Sequence, residues 1–211
     1  MQKEEIHENA PRYSVVVPVF NEAGNITTLD TEIKEALTAI GEPFEILYID
    51  DASTDGSTQE LATLPDVRVI TLMRNCGQAT ALDAGFREAR GDIVISLDGD
   101  GQNNPADIAK LLAKMREEKL DVVAGYRKSR SDKKGIRILT VVGRKLRRVL
   151  LGDSVHDTGC TLRVYTREAV QSLDIGGEMH RYILALLKWK GFRIGEAVVE
   201  DRVRVYGKSK Y

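Results

Sequence analysis

The chain has 211 residues, 42% hydrophobic and 30% charged, which suits one large globular domain with an ample core. Its net charge of −1 argues against a general nucleic-acid binder, so no nucleic acid is expected as a partner. The two cysteines, Cys76 and Cys160, suit a reducing compartment and are too few for a zinc site of their own.

Residues 1–12 are polar, lack the apolar core of a signal peptide and are expected to form a flexible segment ahead of a single domain over 13–211. No apolar run reaches about 18 residues, so the chain as given is not expected to span a membrane. Tyr13–Val19 (YSVVVPV) is a β-branched run that predicts a buried strand, closed by Pro18 and the polar Asn21-Glu22. Ile26, Leu29, Ile33, Leu37 and Ile40 then recur at helical spacing, and Gly41 ends that helix. Residues 44–49 predict a second strand, which runs into Asp50-Asp51-Ala52-Ser53-Thr54-Asp55-Gly56. A third, 67–72, leads through Arg74-Asn75-Cys76-Gly77-Gln78 into a helix reaching Ala89. The fourth starts at Ile93 and stops abruptly in Asp98-Gly99-Asp100-Gly101-Gln102, after which Ile108, Leu111, Leu112 and Met115 give the next helix its buried stripe. Strands alternating with helices through short turns predict an α/β fold, a Rossmann-like, mostly parallel sheet with helices on both faces.

Every polar cluster in this half follows the carboxyl end of a strand, so Asn21-Glu22, Asp50-Asp51, Asn75 to Gln78 and Asp98 to Gln102 should converge on one edge, the usual ligand crevice of such sheets. Loops are polar in any case, but four such clusters at successive strand ends are harder to dismiss than one. Asp98 and Asp100 are the centre of the pattern. Read blandly they are an acidic, Gly-rich turn. A calcium loop of EF-hand type would need Gly and Glu where this chain has Asn103 and Ala109. Neither Gly-x-Gly-x-x-Gly after the first strand nor Gly-x-x-x-x-Gly-Lys-Ser/Thr occurs, which removes the dinucleotide fingerprint and the P-loop. A carboxylate after the second strand can accept hydrogen bonds from a ribose or base edge, and a metal at Asp98 and Asp100 can neutralise a pyrophosphate. A nucleoside diphosphate with a metal is the chemistry these parts suggest.

The segments VVVPVFNEAGNI, LYIDDASTDGST, MRNCGQATALDAGF and SLDGDGQNNP resemble those of family 2 glycosyltransferases, and closely those of the polyprenyl-phosphate branch typified by dolichol-phosphate mannose synthase. The likeness runs from Tyr13 to Tyr211. It implies a single nucleotide-diphospho-sugar transferase domain in which Pro18, Phe20, Asn21, Glu22, Asp50 or Asp51, Asn75, Gln78, Asp98 and Gly99 hold the donor. It also implies that Asp98, Asp100 and Gln102 hold Mg2+ or Mn2+ on the donor diphosphate, Gln102 completing the Asp-x-Asp-x-Gln pattern of this branch.

In the second half, residues 122–126 predict a fifth strand leading into Arg127. From 127 to 148 ten cations stand against one acid, Asp132, with Leu139, Val142, Leu146 and Val149 at helical spacing. That helix, 137–150, reads either as a core-facing helix with a solvated outer face or as one lying on an anionic membrane surface. The resemblance favours the membrane, because the acceptor of this branch is a lipid phosphate. His156-Asp157-Thr158-Gly159-Cys160-Thr161-Leu162-Arg163 is similar to the family's Asp-x-x-Gly-Phe-Arg segment. On the residues alone it is a turn before a strand over 161–165, with Asp157 and Arg163 a weak surface ion pair. Gly176-Gly177-Glu178-Met179-His180-Arg181 predicts the opening of a helix, His180 reading as structural or exposed, and 192–199 predicts a final strand. Residues 204–210 resemble the family's Arg-x-x-Gly-x-Ser-Lys segment, which folds over the donor diphosphate. Arg204 and Lys210 would supply charge and Ser209 a hydroxyl, the plainer reading being a frayed basic tail. Many members of the branch continue from here into transmembrane helices, so a truncated chain or a naturally short member is expected.

The resemblance thus implies inverting, metal-dependent transfer of a sugar from a nucleoside diphosphate sugar to a polyprenyl phosphate, dolichyl or undecaprenyl, at the cytoplasmic face of a membrane. A phosphate monoester has its second pKa near about 6 and is largely dianionic at neutral pH. It needs no general base, only orienting cations, for which Arg127, Arg144 and Arg163 are candidates. A saccharide hydroxyl acceptor, as in cell-surface polysaccharide synthesis, would instead need a base, with Asp157 or Glu178 as the choices. A third reading, a non-catalytic membrane-associated scaffold, has Asp98, Asp100 and Gln102 against it. Donor sugar, nucleobase and oligomeric state are not legible.

Overall fold

A computed structural model describes residues 10–127, 156–157, 159–176 and 179–202. The expected basic helix over 137–150 with Arg144, the capping pair Gly177 and Glu178, and the tail with Arg204, Ser209 and Lys210 lie outside these residues.

Seven strands, β1 (Tyr13–Val19), β2 (Phe44–Asp50), β3 (Arg68–Thr71), β4 (Ile93–Ser96), β5 (Val122–Arg127), β6 (Arg163–Thr166) and β7 (Ile194–Val199), form one sheet in the order β3-β2-β1-β4-β6-β5-β7. β1 pairs in parallel with β2 and β4, β2 with β3, and β5 with β7. β6 runs antiparallel to both β4 and β5. The carboxyl ends of six strands and the start of β6 therefore share one edge.

β1 is buried along its whole length, as a central strand covered on both faces must be. Its side chains alternate between two cores. Tyr13, Val15, Val17 and Val19 join the layer made with α1 (Ile26–Ile40), α2 (Ser57–Ala62) and α4 (Ile108–Glu117). Val16 joins the layer made with α3 (Gln78–Glu88), α5 (Arg167–Gln171) and α6 (Ile183–Trp189). α1 buries Ile26, Leu29, Ile33 and Leu37, each worth about 1.5–3 kcal/mol of transfer free energy. Gly41 ends it at φ 80°, where its N–H reaches the carbonyls of Leu37 and Thr38. α3 lies so close to the sheet that a β-carbon at Gly85 would stand 2.3 Å from Val16 Cγ1, so any larger residue would push the helix outward.

The helical spacing predicts neither α2 nor α5, since six and five residues are too few to display a period. Local caps set them instead. Asp55 accepts from the Ser57 N–H at the start of α2, and the Thr166 hydroxyl accepts from the Ala169 N–H at the start of α5. No helix among the described residues is long and apolar enough to cross a membrane.

Candidate active site

The shared edge opens into a cleft of about 690 Å3. Pro18, Phe20 and Glu22 after β1, Asp51 after β2, Asn75 and Gln78 before and at the start of α3, and Asp98, Gly99, Asp100 and Gln102 after β4 all line it. All four strand-end clusters meet here. Arg127 at the end of β5 and Arg163 at the start of β6 complete the far wall.

Two residues expected at the donor do not line this cleft. Asp50 is fully buried, with Oδ1 accepting from the Ser53 N–H at 2.9 Å and Oδ2 from the Thr58 hydroxyl at 2.6 Å, so its carboxylate is spent on folding its own loop. Asn21, at φ 54°, turns its Oδ1 to the Thr54 N–H at 2.7 Å and ties the β1 and β2 loops together. Successive residues at a strand end point opposite ways, which is why Asp51 faces the cleft that Asp50 avoids. Asp51 Oδ1 accepts from the Cys76 N–H at 2.7 Å and Oδ2 from the Gly77 N–H at 2.8 Å, fixing the turn that opens α3. Gly77 adopts φ 87° there, a conformation that favours glycine.

Gln78, the first residue of α3, donates its amide to Asp98 Oδ1 at 2.5 Å. The Asp98 N–H reaches Asn103 Oδ1 at 3.2 Å, which also accepts from the Thr161 hydroxyl at 2.9 Å. Asp100 Oδ1 accepts from the Gln102 N–H at 3.0 Å, curling the loop over itself. Burial first, then the carboxylates of Asp100 and Glu22, push Asp98 up to about 7 against the lowering effects of Thr161 and Arg163. This is a carboxylate cluster short of positive charge. A divalent cation suits it, since a cation relieves the same repulsion that a proton does. Among the described residues no three acidic, histidine or cysteine side chains gather closely enough to hold a metal alone. A cation on Asp98 and Asp100, with Gln102 beside them, would keep open positions, as Mg2+ does when it shares its coordination with substrate phosphates.

The far wall differs from its expected form. Asp157 and Arg163 are not a surface pair, for both are buried. Asp157 takes Arg127, Nε to Oδ2 at 2.7 Å, while Arg163 Nε donates to the Cys160 carbonyl at 2.8 Å. Arg127 Nη1 also reaches Asp201 at 3.4 Å. Burial pushes the Cys160 thiol up to about 11, leaving it a neutral packing group. Ser96, Thr161, Tyr165, His180 and Arg181 also line the cleft, with no pattern in the sequence that gives them a role there. Thr161 stands in a motif that drew attention to Asp157 and Arg163 instead. His180 and Arg181 come from a 3-10 turn ahead of α6, with no strand-end pattern to flag them.

Below the cleft, residues 200–202 are strapped to the Asp98–Gln102 loop. The Arg202 N–H donates to the Gln102 carbonyl at 3.0 Å, and its guanidinium spans Asn104 Oδ1 and Glu32 Oε2, each at 2.7 Å.

The fold is similar to that of glucosyl-3-phosphoglycerate synthase from Mycobacterium tuberculosis. Its crystal structure with Mn2+ and uridine-diphosphate-glucose superposes with a TM-score of 0.69 at 20% identity, over 94% of this chain and 72% of that one. The same protein with Mg2+ and uridine-diphosphate matches equally well, at a TM-score of 0.69. Residues 14–174 match the sequence family described as Glycosyl transferase family 2, and the chain belongs to that family. It is 33% identical over 211 residues to the dodecaprenyl-phosphate galacturonate synthase of Rhizobium johnstonii, covering 94% of this chain and 61% of that protein. It is 34% identical over 215 residues to the undecaprenyl-phosphate 4-deoxy-4-formamido-L-arabinose transferase of Yersinia pestis, covering 98% of this chain and 64% of that protein. The chain spans a little under two thirds of the length of these relatives.

Proposed function

We propose that this chain is the catalytic domain of an inverting glycosyltransferase that moves a sugar from a nucleoside diphosphate to a polyprenyl phosphate presented at the cytoplasmic face of a membrane. The observation that carries the proposal is the meeting of Asp98 and Asp100 with Arg127 and Arg163 in one cleft. Pro18, Phe20 and Asp51 line the part of the cleft nearest β1 and β2, and they are assigned to the nucleoside. Mg2+ or Mn2+ held by Asp98, Asp100 and Gln102 would supply charge to the leaving diphosphate. The names of the two polyprenyl-phosphate relatives, and the metal and nucleotide in the titles of the structural neighbours, support this reading.

The far wall favours a phosphate acceptor over a hydroxyl. Asp157 is the described carboxylate that the base role would fall to, and Arg127 already occupies both of its oxygens. A carboxylate held in an ion pair is a weak base. A phosphate acceptor is charged on arrival and asks only to be oriented. Arg163, buried and facing the cleft, is assigned to that task, and Arg127 frames it from β5. Attack from the face opposite the leaving diphosphate inverts the anomeric centre. Arg144 remains a candidate for orienting the acceptor phosphate, and Arg204, Ser209 and Lys210 remain assigned to the donor diphosphate by the resemblance of their segment.

Titrating the protein calorimetrically with nucleoside diphosphates in Mn2+ and in EDTA tests the donor half of this reading. Binding should require the metal, and binding of equal strength in EDTA would refute the assignment of Asp98 and Asp100.

A further inference from the structure

We propose that the outer face of α6 is a docking surface for an anionic lipid bilayer. From Met179 to Arg193 the chain carries Arg181, Lys188, Lys190 and Arg193 and no acidic residue. α6 buries Ile183, Leu184 and Leu187 against the sheet. Tyr182 and Trp189, seven residues or two turns apart, share the opposite, outward face, with the half-buried Leu186 between them packed against the core. Trp189 is 85% exposed and Tyr182 49%, and Met179 extends the patch toward the cleft. Arg181 flanks this stripe on one side and Lys190 on the other, while Arg193 is engaged by Asp121 at 3.1 Å.

An aromatic stripe rimmed by cations is what a membrane interface accommodates, the rings settling at headgroup depth and the cations against lipid phosphates. A second copy of this chain is a poor occupant, because a two-fold contact through this face would set Arg181 and Lys190 against their own copies. The position also fits, since the turn that leads into α6 places His180 and Arg181 on the cleft wall, so a bilayer resting on α6 lies beside the cleft mouth. The surface is defined by these residues alone and holds whatever sugar the cleft accepts.

Trp189 is the single tryptophan of the chain, so its emission reports directly on this face. With vesicles of equal phosphatidylcholine and phosphatidylglycerol, the emission of the full chain should shift to the blue and become shielded from acrylamide. Pure phosphatidylcholine should produce neither change, and added salt should reverse both. Co-sedimentation with the anionic vesicles should fall about tenfold or more in Lys190→Glu and in Trp189→Ala. Metal-dependent binding of a nucleoside diphosphate, measured on the same samples, should stay at the wild-type value, which shows the variants to be folded. Failure of that nucleotide binding in the wild type would count against the donor site and leave the docking result standing. The proposal is overturned if vesicles bind while Trp189 emission and quenching stay unchanged, if no vesicle binds, or if the variants bind as well as wild type. It is equally overturned if sedimentation velocity finds self-association that Trp189→Ala abolishes.

Discussion

Arg127 and Asp157 form a nearly buried ion pair on the cleft wall, Nε to Oδ2 at 2.7 Å and Nη2 to Oδ1 at 3.3 Å, with side chains only 12% and 9% exposed. Desolvation alone would lower the guanidinium pKa, but the hydrogen bond and charge of Asp157 hold it above its ordinary value. Removing either partner strands the other charge where water is scarce. Arg127→Met and Asp157→Ala should each cost about 3–5 kcal/mol, and the double substitution should cost clearly less than their sum. Denaturant unfolding of the four proteins measures this. Additive losses would mean that the pair is not coupled as its geometry requires.

Asp98 carries a second, pH-dependent cost. Its carboxyl is raised in the folded protein to about 7 from an ordinary value of 3.8, first by burial and then by Asp100. A raised acid favours the folded state fully below its unfolded pKa, and that contribution is lost as pH rises through the folded value. Metal-free wild type should therefore lose stability between pH 4 and 8 relative to Asp98→Asn, whose amide does not ionise. Thermal melts across this range should show the gap widening toward pH 8 and Mn2+ restoring only the wild type. A gap independent of pH would contradict the assigned shift.

Asp100 sits on a loop rather than in the core, so Asp100→Ala should keep its fold while losing metal-dependent donor binding. A ligand at about 100 times its Kd stabilises by about 2.7 kcal/mol. The wild type should show such a gain with Mn2+ and nucleoside diphosphate together, and Asp100→Ala almost none. Equal gains would remove Asp100 from the site.

The strap at Arg202 makes a separate prediction. Its partner Glu32 and its own side chain are about a third exposed, at 33% and 34%, so the ion pair adds at most about 1 kcal/mol to the fold. Its guanidinium nevertheless ties Asn104, two residues past Gln102, to the strap. Of the two contacts to this stretch, that one alone is lost in Arg202→Ala, since the bond to the Gln102 carbonyl comes from the backbone N–H. Arg202→Ala should leave the melting temperature within a few degrees of wild type, yet raise the Mn2+ concentration needed for half-maximal donor binding several-fold. Arg202→Lys should recover part of that loss. Unchanged metal dependence would reduce the strap to a structural tie.

The sheet edge where ligands gather was legible because β1 to β4 alternate with helices, and parallel strands present their carboxyl ends together. The place of β6 was not. Its run over 161–165 reads as a strand, but its reversed direction and its slot between β4 and β5 rest on pairings with distant residues that no local pattern encodes. Alternation along a strand says that Asp50 and Asp51 diverge, without saying which one meets the cleft. The spacing of Asp157 and Arg163 suggested that they pair, whereas Asp157 finds Arg127, 30 residues away in the chain. Tyr165, His180 and Arg181 reach the cleft from elements whose placement depends on β6 and α6, so their residue types alone could not flag them.

The most direct measurement of the central claim is transfer itself. The purified chain with Mn2+ would be offered a panel of labelled nucleoside diphosphate sugars, with a polyprenyl phosphate in one arm and saccharide primers in the other. The product should be a lipid-linked monosaccharide of inverted anomeric configuration, formed without any primer and lost in EDTA and in Asp100→Ala. Label appearing on a saccharide hydroxyl but never on the lipid phosphate, or lipid transfer that persists in EDTA, would contradict that claim.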